Sequence, residues 1–270
     1  MLKLLKRSIE LDISFLLLNL SLLDKFLFIL KKYCLIAYNL VFSKKSWTIR
    51  IFWKQYFFDD KYGISFLQSV YIDNYRLKKY VWWSKNIIID IWANIWQFRF
   101  FCEQYLWIKH VYSFEAVPNV FQTLNKNFDK NIFWYAVWTK SQIDIFLSDW
   151  SSLWNSISAS YGDTKISVAC KKLDEIDEIK TIKYIDLLKI DTEWWEYDVI
   201  TSWLETIKKS KYILIETSIN RKNVWDIFEI LQKMKEVIDC TIVEIGRPYV
   251  INDSLDAVDI LFRNNSLFEK

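Results

Sequence analysis

Glycine is nearly missing from this chain. It occurs three times in 270 residues, at Gly63, Gly162 and Gly246, where average usage of about 7% gives roughly 19. Histidine occurs once, as His110. Any Ser-His-Asp, Cys-His or His-based metal centre would have to use that one residue. It stands at the start of an expected strand, which favours a surface or edge role. The four cysteines (Cys34, Cys102, Cys170, Cys240) lie far apart with no CxxC pair. That excludes zinc-type spacing and argues against a disulfide framework, leaving buried free thiols in a reducing compartment as the expectation. Long apolar runs are missing too. The uncharged stretch 13–23 is too short to span a bilayer, and Lys25, Lys31 and Lys32 interrupt the next stretch. No small-residue cleavage site of a signal peptide comes after the apolar run, so a cytoplasmic chain is expected.

The rest of the composition is ordinary for a globular protein, with one exception. The hydrophobic fraction is 52% and the charged fraction 26%, which excludes a disordered or low-complexity chain. A net charge of +3 is too mild to point to nucleic acid. The exception is tryptophan, with 15 residues. Tryptophan and glycine together come to 18, close to the glycine content a chain of this length normally has.

Three regions are expected. Residues 1–45 read as a hydrophobic helical extension, 46–80 as a linking segment with short strands, and 81–270 as the main domain. Residues 11–42 suit one or two amphipathic helices. These form either a hairpin packed on the main domain or a membrane-surface anchor with a Lys-bearing face. From about residue 78 short apolar, β-branched runs (86–91, 110–114, 132–137, 143–147, 187–190, 212–216, 241–244 and 258–262) alternate with helical periodicity (97–105, 119–127, 196–207 and 223–237). Alternating βα units predict an α/β fold with a mostly parallel central sheet and helices on both faces. Such sheets bind ligands beyond the carboxyl ends of their strands. The polar, Ser-rich stretch 148–161 reads as a loop beside that edge.

The residues at those ends carry the chemistry. The first strand runs into Asp90-Ile-Trp92-Ala93-Asn94-Ile-Trp96. A turn between a strand and a nucleoside-binding helix normally uses glycines, which tolerate the dihedrals and let ligand approach the backbone. Tryptophan is the worst residue there. The second strand ends at Phe114-Glu115-Ala116, with Pro118 just after; an acid at this place typically accepts ribose hydroxyls. The later strand gives Lys189-Ile190-Asp191-Thr192-Glu193-Trp194-Trp195-Glu196. For Glu196 helix N-capping is an equally simple role.

These three segments resemble FkbM-type methyltransferases. The family's first motif is Asp-x-Gly-Ala-Asn-x-Gly, its second a Phe-Glu-Pro-like tip, and its third Lys-Ile-Asp-x-Glu-Gly-x-Glu. Order and spacing match over roughly residues 80–265. The resemblance implies a class I Rossmann-like fold and S-adenosylmethionine as cofactor, held by Asp90, Trp92, Ala93, Asn94, Trp96, Glu115, Ala116, Val137 and Asp191. It implies O-methylation of a hydroxyl on a sugar, glycan or lipid-like acceptor, with no nucleic acid as partner. Asp191 and Glu193 are the candidate catalytic carboxylates, with Glu196 third, because an acceptor hydroxyl must lose its proton.

The departures from the motifs obey one rule. Each mismatch at a motif glycine is a tryptophan: Trp92, Trp96 and Trp194. Trp138 after the third strand, Trp82 and Trp83 before the first, and Trp203 at a helix end also stand where glycine would suit. A gene that reads UGA as glycine, translated as if UGA were tryptophan, gives this pattern. Read literally, Trp92 and Trp96 are expected to fill the cofactor pocket. The rival reading takes the tryptophans at face value, as stacking platforms of a carbohydrate- or nucleic-acid-binding module. A nicotinamide-dinucleotide site is a further alternative, although the first turn is not Gly-x-Gly-x-x-Gly.

Overall fold

The computed structural model describes residues 2–42, 47–51, 54–58, 63–83, 85–147, 164–192, 195–220, 225–251 and 254–268. The loop expected at 148–161 lies outside them, as do Glu193 and Trp194.

Two N-terminal helices, α1 (Leu2–Leu16) and α2 (Leu22–Phe42), are followed by a hairpin of β1 (Trp47–Ile51) and β2 (Lys54–Phe58), then by α3 (Gly63–Asn74). The alternating part comprises β3 (Ile87–Ile91), α4 (Gln97–Gln104), β4 (His110–Glu115), α5 (Pro118–Asn127), β5 (Ile132–Trp134), β6 (Ala136–Val137), β7 (Gln142–Leu147), β8 (Thr164–Lys171), α6 (Asp177–Lys180) and β9 (Ile185–Ile190). It closes with α7 (Glu196–Ser202), α8 (Leu204–Lys208), β10 (Ser210–Ser218), α9 (Ile227–Val237), β11 (Cys240–Ile245), β12 (Tyr249–Ile251) and β13 (Ser254–Asn264).

The main sheet has the order β11-β13-β10-β9-β3-β4-β5, with β12 added on β13. Pairings from β5 through β10 are parallel, and β13 runs against its neighbours β10 and β11. Isoleucine and leucine fill the central strands on both faces, as burial on both sides requires. The chain leaves β3 outward to β4 and β5, then returns to β9 on the other side. This reversal of strand order opens a crevice at the carboxyl ends of β3 and β9, the place where open α/β sheets bind ligands. The fold expectation therefore holds. Strands β8, β12 and the helix α3 were not legible in the hydropathy pattern, and the expected helix 196–207 is broken at Trp203 into α7 and α8.

One face of the sheet packs on α4, α3, the hairpin and the N-terminal helices, with Tyr71, Phe100 and Phe101 at the centre of that layer. The other face packs on α7, α8 and α9. The thiols are free, but only Cys102 is buried; Cys34 is exposed and Cys170 and Cys240 are intermediate. The expectation of four buried thiols is corrected: Cys34 lies on α2, whose outer side faces solvent. His110 is exposed at the start of β4, at the opposite sheet edge from the crevice.

In the N-terminal hairpin the helices do not present the Lys-bearing outer face of the membrane-surface alternative. The Lys-bearing face points inward for two lysines. Lys25 Nζ donates to the Leu16 carbonyl at 2.7 Å. Lys32 is wholly buried, pairs with Asp12 at 2.6 Å and donates to Gln68 at 2.9 Å. Leu17, Leu22, Leu23 and Phe26 stand exposed at the tip instead. No helix among the described residues is long and apolar enough to cross a membrane.

Candidate active site

Strand register sets the geometry. Asp90, Lys189 and Leu214 lie side by side, and Ile91, Ile190, Ile215 and Ile260 form the next row. Side chains alternate faces along a strand. The row after the isoleucines therefore returns to the first face: Asp191 just beyond β9, Glu216 on β10, and Asp259 on β13, paired with Glu216. The sheet edge thus carries a charged side facing α3 and α4 and an apolar side facing α7.

The charged side centres on Lys189. Its Nζ is 2.8 Å from Asp191 Oδ2 and 3.6 Å from Asp90 Oδ1. Burial works against the ammonium, but the carboxylates of Asp191 and Asp90 outweigh it and hold the lysine charged. Asp90 is fully buried, and its oxygens accept no hydrogen bond among the described residues. Burial pushes its carboxyl up to about 6, with Lys189 pulling back. Asp259 is raised to about 7, by its low-water surroundings first and by the nearby Asp191 second, while Lys189 opposes. Tyr249 Oη donates to Asp259 Oδ2 at 3.3 Å. Lys189 stood in the motif but was given no role there, and Asp259 and Tyr249 gave no local signal at all. They arrive because β13 folds back antiparallel, a long-range pairing.

The first turn is built as the motif suggests. Ala93 N–H donates to the Phe114 carbonyl at 2.8 Å, and Asn94 N–H donates to Glu115 Oε2 at 2.9 Å. The other oxygen of Glu115 accepts from Val117 N–H at 2.8 Å. Glu115 therefore laces the β3 turn to the end of β4. Its burial lifts the carboxyl to about 7 against these backbone donors. Asn94 Oδ1 in turn accepts from Ile95 N–H. Gln97 opens α4 buried, with neither amide atom paired among the described residues.

The turn's backbone is that of glycine. Trp92 has φ 64°, Asn94 54° and Trp96 146°. Asparagine tolerates such angles, whereas a bulky residue there is an outlier. The left-handed region costs an L-residue about 1–2 kcal/mol. At φ 146° the Trp96 side chain turns away from the crevice into the core. It stacks on Tyr56 with ring centroids 4.7 Å apart and donates to the Phe57 carbonyl.

On the apolar side lies a cavity lined by Ile91, Trp92, Ala116, Val137, Trp138 and Trp195, among others. Its free volume is about 20 Å³, enough for about one water molecule. Trp138 and Trp195 meet with ring centroids 4.0 Å apart across it. Of the residues expected to hold cofactor, Trp92, Ala116 and Val137 line this cavity. Asp90, Ala93, Asn94 and Glu115 support the turn around it, and Asp191 sits on the charged side. The expectation that Trp92 and Trp96 would fill the pocket is corrected: Trp92, Trp138 and Trp195 fill it. Glu196 takes the structural role, accepting from both N–H and Oγ of Thr192 at 3.0 Å. Among the described residues no group of three or more metal-ligating side chains occurs.

Strand order, first turn and acidic tip define a class I Rossmann-like methyltransferase fold. The family model described as the Methyltransferase FkbM domain matches residues 90–239, and the chain belongs to that family. No curated protein matches the chain. Among solved structures, Trm5 of Methanocaldococcus jannaschii in complex with adenosine is similar, with 11% identity and a TM-score of 0.46, covering 82% of this chain and 56% of that one. An FkbM methyltransferase of Methylobacillus flagellatus KT shares 15% identity with a TM-score of 0.43, covering 66% and 44%. Fibrillarin of Aeropyrum pernix, with bound S-adenosylmethionine, shares 9% with a TM-score of 0.40, covering 66% of each. The chain thus spans little more than half the length of the first of these.

The family's methyl donor is S-adenosylmethionine. Asp90 and Gln97 beside the turn lack hydrogen-bond partners among the described residues, but both are buried and neither lines the cavity. The space does not suit the donor: a cavity of about 20 Å³ walled by three indoles excludes a nucleoside. The chain as written does not fit its cofactor.

Proposed function

We propose that this protein is an O-methyltransferase acting on a hydroxyl of a sugar, glycan or lipid-like acceptor. The observation that carries this reading is the charged row beside the cofactor turn: Asp191, Glu216 and Asp259 around Lys189 and Tyr249. A hydroxyl must lose its proton as it is alkylated, and a carboxylate within hydrogen-bond reach is a suitable base. Asp191 is the first candidate, because it is the row's member at the tip of β9 and its side chain keeps some solvent exposure. Glu193, the second candidate, lies outside the described residues. Lys189 holds Asp191 in place, with Nζ 2.8 Å from Oδ2. Several carboxylates and a phenol also suit a polyhydroxylated acceptor better than an apolar one.

The exposed apolar tip of the N-terminal hairpin supports a lipid-linked acceptor. A hairpin with lysines inside and leucines outside fits an interfacial position in a membrane better than an aqueous one. Co-sedimentation with anionic liposomes tests this, and loss of binding in the Leu17→Ser/Phe26→Ser variant is expected. The enzymatic reading is tested by transfer of labelled methyl groups to oligosaccharide and glycolipid pools, with the motif tryptophans replaced by glycine. Incorporation that Asp191→Ala abolishes supports it; donor binding without transfer to any hydroxyl acceptor contradicts it.

A further inference from the structure

The backbone and the side chains of this protein disagree at particular places, and the places share one residue type. Five described non-glycine residues have positive φ: Trp92, Trp96, Trp107, Asn94 and Asn131. Two are asparagine, the residue that best tolerates this region after glycine. The other three are tryptophan. No described glycine uses it. Trp107 comes after α4 with φ 58°, a left-handed helix end of the kind glycine usually makes, and its indole is exposed.

Three other tryptophans disagree by a different criterion. Trp138 and Trp195 meet across the cavity that the family fold reserves for a ligand. Trp203 sits at the joint between α7 and α8, wholly buried, with an Nε1 that finds no acceptor among the described residues. A buried indole N–H ordinarily has one. By contrast the polar side chains of the same turn have backbone donors: Asn94 Oδ1 accepts from Ile95 N–H, and Glu115 accepts from Asn94 N–H and Val117 N–H. A decayed site would lose both kinds of residue; here only the small-residue positions are wrong.

We infer that these tryptophans, and by composition the fifteen as a set, are glycines in the protein its own cell makes. The codon at each is UGA, decoded there as glycine, and the indoles belong to a translation by another code. With glycine at 92, 138 and 195 the cavity walls withdraw to the backbone, and the Rossmann-like turn becomes open to a nucleoside. The cavity limb of this inference rests on the methyltransferase reading. The dihedral angles at 92, 96 and 107 do not.

The test is tandem mass spectrometry of the native protein purified from its source cells. Peptides covering residues 86–99 and 100–109 are expected to carry glycine at 92, 96 and 107, and the intact protein is expected to emit as a tyrosine-only protein. Tryptophan at these positions, or UGG codons in the gene, overturns the inference. Titration with S-adenosylmethionine separates the two readings. Glycine in the peptides with no donor binding leaves the inference standing and removes the methyltransferase reading. Donor binding by the tryptophan form, as tight as by the glycine form, overturns the claim that the indoles close the cavity.

Discussion

The two sides of one sheet edge have fared differently in this chain. On the α4 side the residues that handle charge are intact and mutually supported: Lys189 between Asp90 and Asp191, with Tyr249 on Asp259. On the α7 side the residues that should leave room are the ones that fill it, with Trp92, Trp138 and Trp195 around a cavity for about one water. Function needs both a set of groups and a space. The first is written in side chains, the second in their absence, and a change that touches only glycine codons erases the second and spares the first.

The largest effect is expected from reversing that change. Combining Trp92→Gly, Trp96→Gly, Trp138→Gly and Trp195→Gly is predicted to move S-adenosylmethionine affinity from undetectable at millimolar to micromolar, on the order of 4 kcal/mol. Isothermal titration measures it. No gain in a folded variant breaks the comparison, because the space would then not be what is missing.

Next in size is the charged side. In the glycine form, Asp191→Ala is expected to lower methyl transfer about 100-fold or more, as loss of a positioned base does. Its cost to folding stability is expected to be about 3 kcal/mol, because the largely buried Lys189 ammonium keeps only Asp90, at 3.6 Å, as a partner. Equal activity in the variant removes Asp191 from the mechanism and leaves the proton to Glu193, Glu216 or Asp259.

Stability against pH sharpens the comparison without any cofactor. Glu115 is raised from 4.5 to about 7, and Asp90 from 3.8 to about 6. The folded state then binds protons that the unfolded state has released. These groups favour folding below about pH 4, and that contribution is lost as pH rises through 7, by about 3 kcal/mol for Glu115. Thermal melts between about pH 4 and 8 should therefore fall with pH, and Glu115→Gln should flatten the slope. An unchanged slope means that Glu115 is ionised in the folded protein at about pH 5.

The smallest effect is local. Trp107→Gly is expected to raise stability by about 1 kcal/mol by relieving a left-handed backbone. Trp134→Gly, at an exposed site without positive φ where the indole stacks on Phe121 and bonds the Ala116 carbonyl, is expected to lower stability. Two melting curves decide it.

Most of the main domain was legible in the sequence, because period-two and period-3.6 patterns survive the loss of glycine. The strands ending at Ile91, Glu115 and Ile190 were placed to within a residue or two. The first turn and acidic tip were legible as a motif because their polar residues remain. Three things were not. One of the two alternatives for the N-terminal hairpin put its lysines on a surface, since nothing local reveals that Asp12 and Gln68 come from other helices to meet Lys32. Asp259 and Tyr249 reach the site through the β10–β13 pairing, which no local pattern encodes. Trp96 was expected in the pocket, and only its dihedral angle shows that it turns toward Tyr56.

The most direct measurement is calorimetric titration of S-adenosylmethionine into two forms of the full chain, one with tryptophan and one with glycine at all fifteen positions. Micromolar binding in the glycine form, absent from the tryptophan form and lost again with Glu115→Ala, is the predicted result. A folded glycine form that takes up no donor contradicts the account at its centre.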